Sequence, residues 1–143
     1  MKFALITLAV LCLVALIAWW PSRPEPRLQG TWRSNKEETV AVWRREGVIR
    51  DKIIDQFEKD VLGKLSVTYA GRRTTSTMGD WTEVEKYRVV ESGEDFVVFD
   101  RFSTVQKQKL RWRVRFVKDG YWISSDELLK GYTEKFDRVA RGE

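Results

Sequence analysis

Residues 110–116, LRWRVRF, alternate without a fault: Leu110, Trp112, Val114 and Phe116 share one face, Arg111, Arg113 and Arg115 the other. A strand that is apolar on one side and arginine on the other lies against a core and faces water, which is the pattern of an antiparallel sheet. Residues 65–69 repeat the period, with Leu65, Val67 and Tyr69 on one face. Turn signals cut the remaining chain into strand-length pieces: Gly71, Gly79-Asp80, Ser92-Gly93, Asp119-Gly120 and Gly131. Asp-Gly between RFVK and YWIS is a strong two-residue hairpin signal. The spacing predicts eight strands at about 28–33, 64–70, 73–78, 82–91, 95–102, 109–118, 121–125 and 131–138. Strands joined mostly by hairpins close on themselves, because closure removes exposed edges. The expected fold is mainly β (α+β): an eight-stranded antiparallel up-and-down barrel or a strongly curved sheet, with a flatter sheet wrapped on the helix as the alternative. At about eight strands the interior is just filled by side chains or holds one small ligand.

Between the first two strands the period changes. Ser34 followed by Glu37 has the capping-box pattern, and a helix is expected over 35–46. Gly47 interrupts it. Ile49, Ile53, Ile54, Phe57 and Val61 then recur at three- and four-residue spacing, so a second helical stretch runs to residue 62 and stops at Gly63. The helical insert is thus 35–62.

Residues 3–20 form an uncharged, predominantly apolar run. As a helix, 18 residues span ~27 Å, close to the thickness of a bilayer's hydrocarbon core. Trp19 and Trp20 end the run, where aromatic residues favour the interface. A cleaved signal needs a small-x-small site, which LIAWWPSRPEP lacks. Leu11 is too large for lipid attachment at Cys12, so that cysteine reads as an apolar residue of the anchor. The expected organisation is a transmembrane anchor at 1–20, a Pro-rich extended linker at 21–27 and a barrel domain at 28–143. Lys2 precedes the anchor, while Arg23, Arg27 and Arg33 follow it. Strict counting favours a cytoplasmic domain; a short tail with one lysine is the usual form of an exported anchor. The expectation is a single-pass protein of the inner or plasma membrane with an extracytoplasmic (periplasmic) domain. Beyond Lys2 there are 25 basic and 21 acidic side chains, a net +4. That mild excess suits anionic lipid heads or an acidic partner.

The chain has no histidine, and its one cysteine lies in the apolar run. The commonest general base and commonest metal ligand, thiol nucleophiles and cysteine-bound zinc are therefore missing from the domain. No phosphate-cradling glycine loop is present. Glu83/Glu85 and Glu94/Asp95 read as solvated strand and turn residues. No enzyme, cofactor or metal is expected, and nucleic acid is a poor partner because the arginines and aromatics lie on opposite faces.

Two features favour binding. With Trp112 and Phe116 inward, Tyr69, Tyr87, Phe96 and Tyr132 are expected neighbours in an aromatic interior. Glu134 shares their side and either pairs with Arg138 or meets a polar ligand group, since an unpaired buried carboxylate is costly. Ala70, Thr75, Thr77 and Ser124 are the small or polar positions that would leave room for a ligand. On the other side, Arg111, Arg113 and Arg115, with Arg72, Arg73 and Arg88 on other strands, form either a solvated face or a docking surface.

Gly30-Thr31-Trp32 resembles the G-x-W at the first strand of the lipocalin-like proteins, the calycins. In that family an arginine near the end of the last strand packs across the tryptophan and closes the barrel base, and Arg138 lies where it would be. The helical insert is similar to the lid of the intracellular fatty-acid-binding branch. The chain departs from secreted lipocalins in lacking a disulfide, in its longer helix after the first strand and in its anchor. From the inward aromatic face and Glu134, the expected ligand-binding set is Tyr69, Tyr87, Trp112, Phe116, Tyr132 and Glu134. The expected function is a membrane-anchored, non-catalytic domain that binds a small lipophilic molecule or serves as an accessory or assembly partner of a membrane protein complex. The alternative is a filled barrel that docks a protein through its arginine face.

Overall fold

A computed structural model describes residues 23–104 and 106–140. The proposed anchor lies outside the described residues; among those described, no helix is long and apolar enough to cross a membrane. The chain forms eight strands: β1 (Gly30–Ser34), β2 (Ser66–Ala70), β3 (Arg73–Met78), β4 (Trp81–Ser92), β5 (Phe96–Ser103), β6 (Gln108–Val117), β7 (Gly120–Ser124) and β8 (Thr133–Arg138). Each pairs antiparallel with the next, and β1 pairs with β8, so the sheet is a closed barrel. All eight expected strands are present, and closure decides between a barrel and an open sheet.

The alternation of β6 sets which side is inside. Leu110, Trp112 and Val114 are buried, and Arg111, Arg113 and Arg115 are exposed. On β5 the inward set is Val97, Phe99 and Arg101, which places Phe96 on the outer wall under the Arg113 guanidinium, 4.5 Å from its ring centroid. Phe96 is therefore not an interior neighbour of Trp112. Likewise Thr74 and Ser76 point inward on β3, while Thr75 and Thr77 occupy the other face and Ala70 is exposed. The small inward positions are thus one residue out of phase with expectation.

The insert forms α1 (Lys36–Glu46) and α2 (Asp51–Asp60). The cap of α1 is Asn35, whose side chain accepts from the Glu38 N–H at 3.0 Å. Ser34 is still in β1, and its hydroxyl turns into the barrel. Trp43 on α1 and Phe57 on α2 meet Tyr132, and the Trp43 indole donates to the Thr133 carbonyl at 2.5 Å. The helices therefore cover the end of the barrel where β8 begins. On the outer side of β8, Lys135 is only 3% exposed beneath α1, with its ammonium 2.5 Å from Asp137.

At the opposite end, the base, residues 24–29 do not form an extended spacer. They turn across the barrel and close it. Leu28 is fully buried, and the Trp32 indole donates to its carbonyl at 2.6 Å. Arg27 reaches Glu25 at 2.7 Å and the carbonyls of Gly93 and Glu94 at 2.8 Å each, and lies over the Phe116 ring. Burial alone would raise the Glu25 carboxyl, but the Arg27 guanidinium and N–H outweigh it and hold the group below the usual carboxylate range.

The G-x-W pattern has its physical reason here. Arg138 lies 4.3 Å over the Trp32 ring, and its guanidinium donates to the Gln29 and Arg27 carbonyls at 3.2 Å each. Gly30 has φ +119, and a Cβ there would sit 3.2 Å from that guanidinium. Only glycine suits both the backbone angle and the arginine. At the β6–β7 hairpin the two turn residues are Lys118 and Asp119, and Gly120 begins β7 opposite Asp137. A Cβ on Gly120 would fall 2.0 Å from the Phe136 carbonyl oxygen.

Candidate functional site

The sequence-expected interior residues fall into three places. Tyr69 and Tyr87 pack with Phe99 near the base, with ring centroids 5.4–6.4 Å apart. Beside them Trp32 meets Tyr121 edge-on at 4.8 Å and Tyr121 stacks on Phe136 at 5.3 Å. With Leu28 beneath, the base half of the barrel is filled by its own rings. Phe116 lies at the rim of the base, half-buried under Arg27, and is not part of an interior site. Trp112, Tyr132 and Glu134 meet in the half beneath the helices, with the Trp112 and Tyr132 rings 6.1 Å apart.

Glu134 is only 1% exposed. It does not pair with Arg138, which is at the base. The Ser34 hydroxyl donates to one of its oxygens at 2.5 Å and the Tyr132 hydroxyl to the other. Burial pushes its carboxyl up, and these two hydrogen bonds only partly offset that. Ser34 in turn accepts the Gly63 N–H at 2.9 Å, which ties the end of the insert to the barrel wall.

A second polar group inside was not read as such. Glu85 is buried, 2.7 Å from Arg101, and Arg101 lies 4.9 Å from the Trp112 ring centroid. Burial outweighs the Arg101 attraction and holds the Glu85 carboxyl above its ordinary range. Glu85 had looked solvated because the polar run TEVEK gives no apolar phase. Only its position two residues before inward Tyr87 marks it.

On the outer wall the arginine stripe divides. Arg111 is bound by both oxygens of Asp100, at 2.8 and 3.1 Å. Its guanidinium and its hydrogen bonds hold the Asp100 carboxyl below the usual range. Arg113 and Arg115 instead line a groove of about 590 Å³ between α1 and the outer faces of β6 and β7, with Arg45 and Trp122. Glu38 and Glu46 lie on its helix side. Among the described residues none of Arg45, Arg113 and Arg115 has an ion-pair partner. Arg45 and Trp122 were not foreseen: β6 alone cannot reveal that a helix folds back beside it. Arg72, Arg73 and Arg88 are exposed, away from this groove.

These features define a closed, up-and-down eight-stranded β-barrel with a helical pair between its first two strands, an architecture compatible with a lipocalin-like fold. In comparisons with known proteins the chain matches no family model, no curated protein and no solved structure.

Proposed function

We propose that this chain is a membrane-tethered, non-catalytic, lipocalin-like barrel that acts as an accessory or assembly subunit by docking an acidic segment of a partner protein. The observation that carries this reading is the outer groove. Three arginines without carboxylate partners flank the half-buried Trp122 there, and Trp and Arg are the residues that most often anchor protein interfaces. The filled base half also favours the outer wall over a large interior ligand. Because residues 24–29 pack at the base, whatever precedes them joins the barrel at that end, away from the side-wall groove.

The test is co-purification of the tagged full-length chain from the membrane fraction of its own cells, quantified against an Arg113→Glu/Arg115→Glu variant and an Arg111→Ala variant. The reading expects a protein present near one-to-one that falls at least about tenfold in the double variant, roughly 1.4 kcal/mol of binding. Arg111→Ala should retain it, because Arg111 is already engaged by Asp100. A partner unaffected by the double variant, or none in the membrane fraction, refutes the reading.

A further inference from the structure

The outer wall of β3, β4 and β5 carries a mixed apolar and basic surface that the groove does not use. Along β4, Val84, Lys86, Arg88 and Val90 are all exposed on the outer side. Cross-strand pairing widens this line. Arg73 lies opposite Lys86, Thr75 opposite Val84 and Arg88 opposite Asp100. One step beyond the last β4–β5 pair, Tyr87 with Arg101, Lys86 comes level with Phe102. Phe102 in turn lies opposite Lys109. Val84 is 54%, Val90 43% and Phe102 53% exposed, so three of the seven large apolar side chains exposed among the described residues share this wall. Arg73, Lys86 and Arg88 have no ion-pair partner among the described residues. The carboxylates on this wall are Asp100, already held by Arg111 and Lys109, and Glu91 at its base end.

The chain enters the barrel beside the same strand. Arg23, Pro24 and Glu25 line a cleft with Val89 and Ser92 of β4, and the Glu25 N–H donates to the Tyr87 hydroxyl at 3.1 Å. Only Pro21 and Ser22 separate the uncharged run 3–20 from Arg23, and three such steps of chain reach at most about 11 Å. A membrane that holds that run therefore lies close to the base end of β4. The mixture of side chains selects the partner as well. Cores of protein interfaces are depleted of charged residues, lysine included, yet here Lys86 and Arg88 stand between Val84 and Val90. Apolar side chains set singly among lysines and arginines suit a headgroup layer, where they dip below anionic phosphates. We propose that the β3–β5 wall rests on an anionic phospholipid surface, with Val84, Val90 and Phe102 among the headgroups and Arg73, Lys86 and Arg88 against the phosphates, a placement argued from the tethered reading. The groove between α1, β6 and β7 lies on other strands and stays open to a partner protein.

The full-length chain in lipid nanodiscs provides the test. In a Cys12→Ala background, Val84→Cys carries an apolar bimane label. Val48→Cys, between the two helices and equally exposed at 54%, carries the control label. The discs are phosphatidylcholine alone or an equal mixture with phosphatidylglycerol, each with a headgroup nitroxide lipid as quencher. With phosphatidylglycerol the label at residue 84 should be quenched beyond the control; without it the two should match. A basic side chain near an anionic surface is worth about fivefold in binding, so Arg73→Gln/Lys86→Gln/Arg88→Gln should weaken the contact roughly a hundredfold and return residue 84 to the control level. About 1 M salt, where the Debye length is ~3 Å, should do the same without mutation. Quenching at residue 84 that is no greater than the control, equal in uncharged discs, or unchanged by either treatment overturns the proposal. Retention of the chain in discs at that salt reports the tether separately. A chain retained with residue 84 unquenched keeps the tether and loses the docked wall. A chain released at high salt but quenched at low salt loses the tether and keeps the wall.

Discussion

The base seam formed by Trp32 and Arg138 permits a quantitative prediction. Arg138→Met keeps much of the side chain's length and removes the charge over Trp32 together with two hydrogen bonds to the Gln29 and Arg27 carbonyls. A cation–π contact contributes about 0.5–1 kcal/mol at exposed sites and ~2 when desolvated. Arg138 is exposed while Trp32 is buried, so about 1 kcal/mol applies. Two long hydrogen bonds in contact with water add as much again, each about 0.5 kcal/mol. The variant should lose about 2 kcal/mol, which for a barrel of this size lowers the melting temperature by roughly 6–10 °C. Combining it with Trp32→Leu in a double-mutant cycle isolates the contact itself. Guanidinium unfolding of the full-length chain, followed by circular dichroism, should give a coupling energy of about 1 kcal/mol. A coupling within about 0.3 kcal/mol of zero would mean that the arginine covers the ring without stabilising it, and the account of the G-x-W pattern would fail.

Two further outcomes follow from the interior. Because the folded Glu134 carboxyl is raised, its contribution to stability is complete below the ordinary carboxylate range and is lost as pH rises through the folded value. Glu134→Gln should therefore flatten the fall in stability between mildly acidic and neutral pH; melts showing the same slope in both proteins would refute this. Gly120→Ala puts a Cβ against the β8 backbone. It should destabilise by about 2–3 kcal/mol, near the upper end for overpacking, and an unchanged unfolding midpoint would contradict that register.

Legibility in the sequence tracked how strongly one face of each element is marked. β6, with three arginines against Leu110, Trp112 and Val114, could be read to the residue. In β5, FVVF is apolar in both phases, so Phe96 and Phe99 could not be assigned a side, and inward Arg101 went unread. In β3, threonines and serine give no phase at all. Ser34 and Asn35 are both good cap residues, and Glu37 and Glu38 follow each at the same spacing. Only the bond from Ser34 to Glu134, a hundred residues away, separates them. The turn over the base was hidden by three prolines, which suggest an extended linker unless the Arg27 and Leu28 contacts are known. The outer groove joins α1 to β6 and β7, and no local pattern carries such a pairing.

The seam between β1 and β8 also bears on how the chain reaches its fold. Its partners, Trp32 with Arg138 and Ser34 with Phe136, lie at nearly opposite ends of the domain. Every other ladder joins strands adjacent in sequence. Bringing distant partners together carries a loop-closure entropy that local hairpins avoid, and such contacts slow folding. A ribosome must release the chain through β8 before the ring can shut. Until then β1 has only β2 beside it, and the aromatic face around Trp32 stays open to other strands. Closing the seam thus has to wait for β8, and an unclosed barrel leaves β1 with a free edge that invites pairing with other chains.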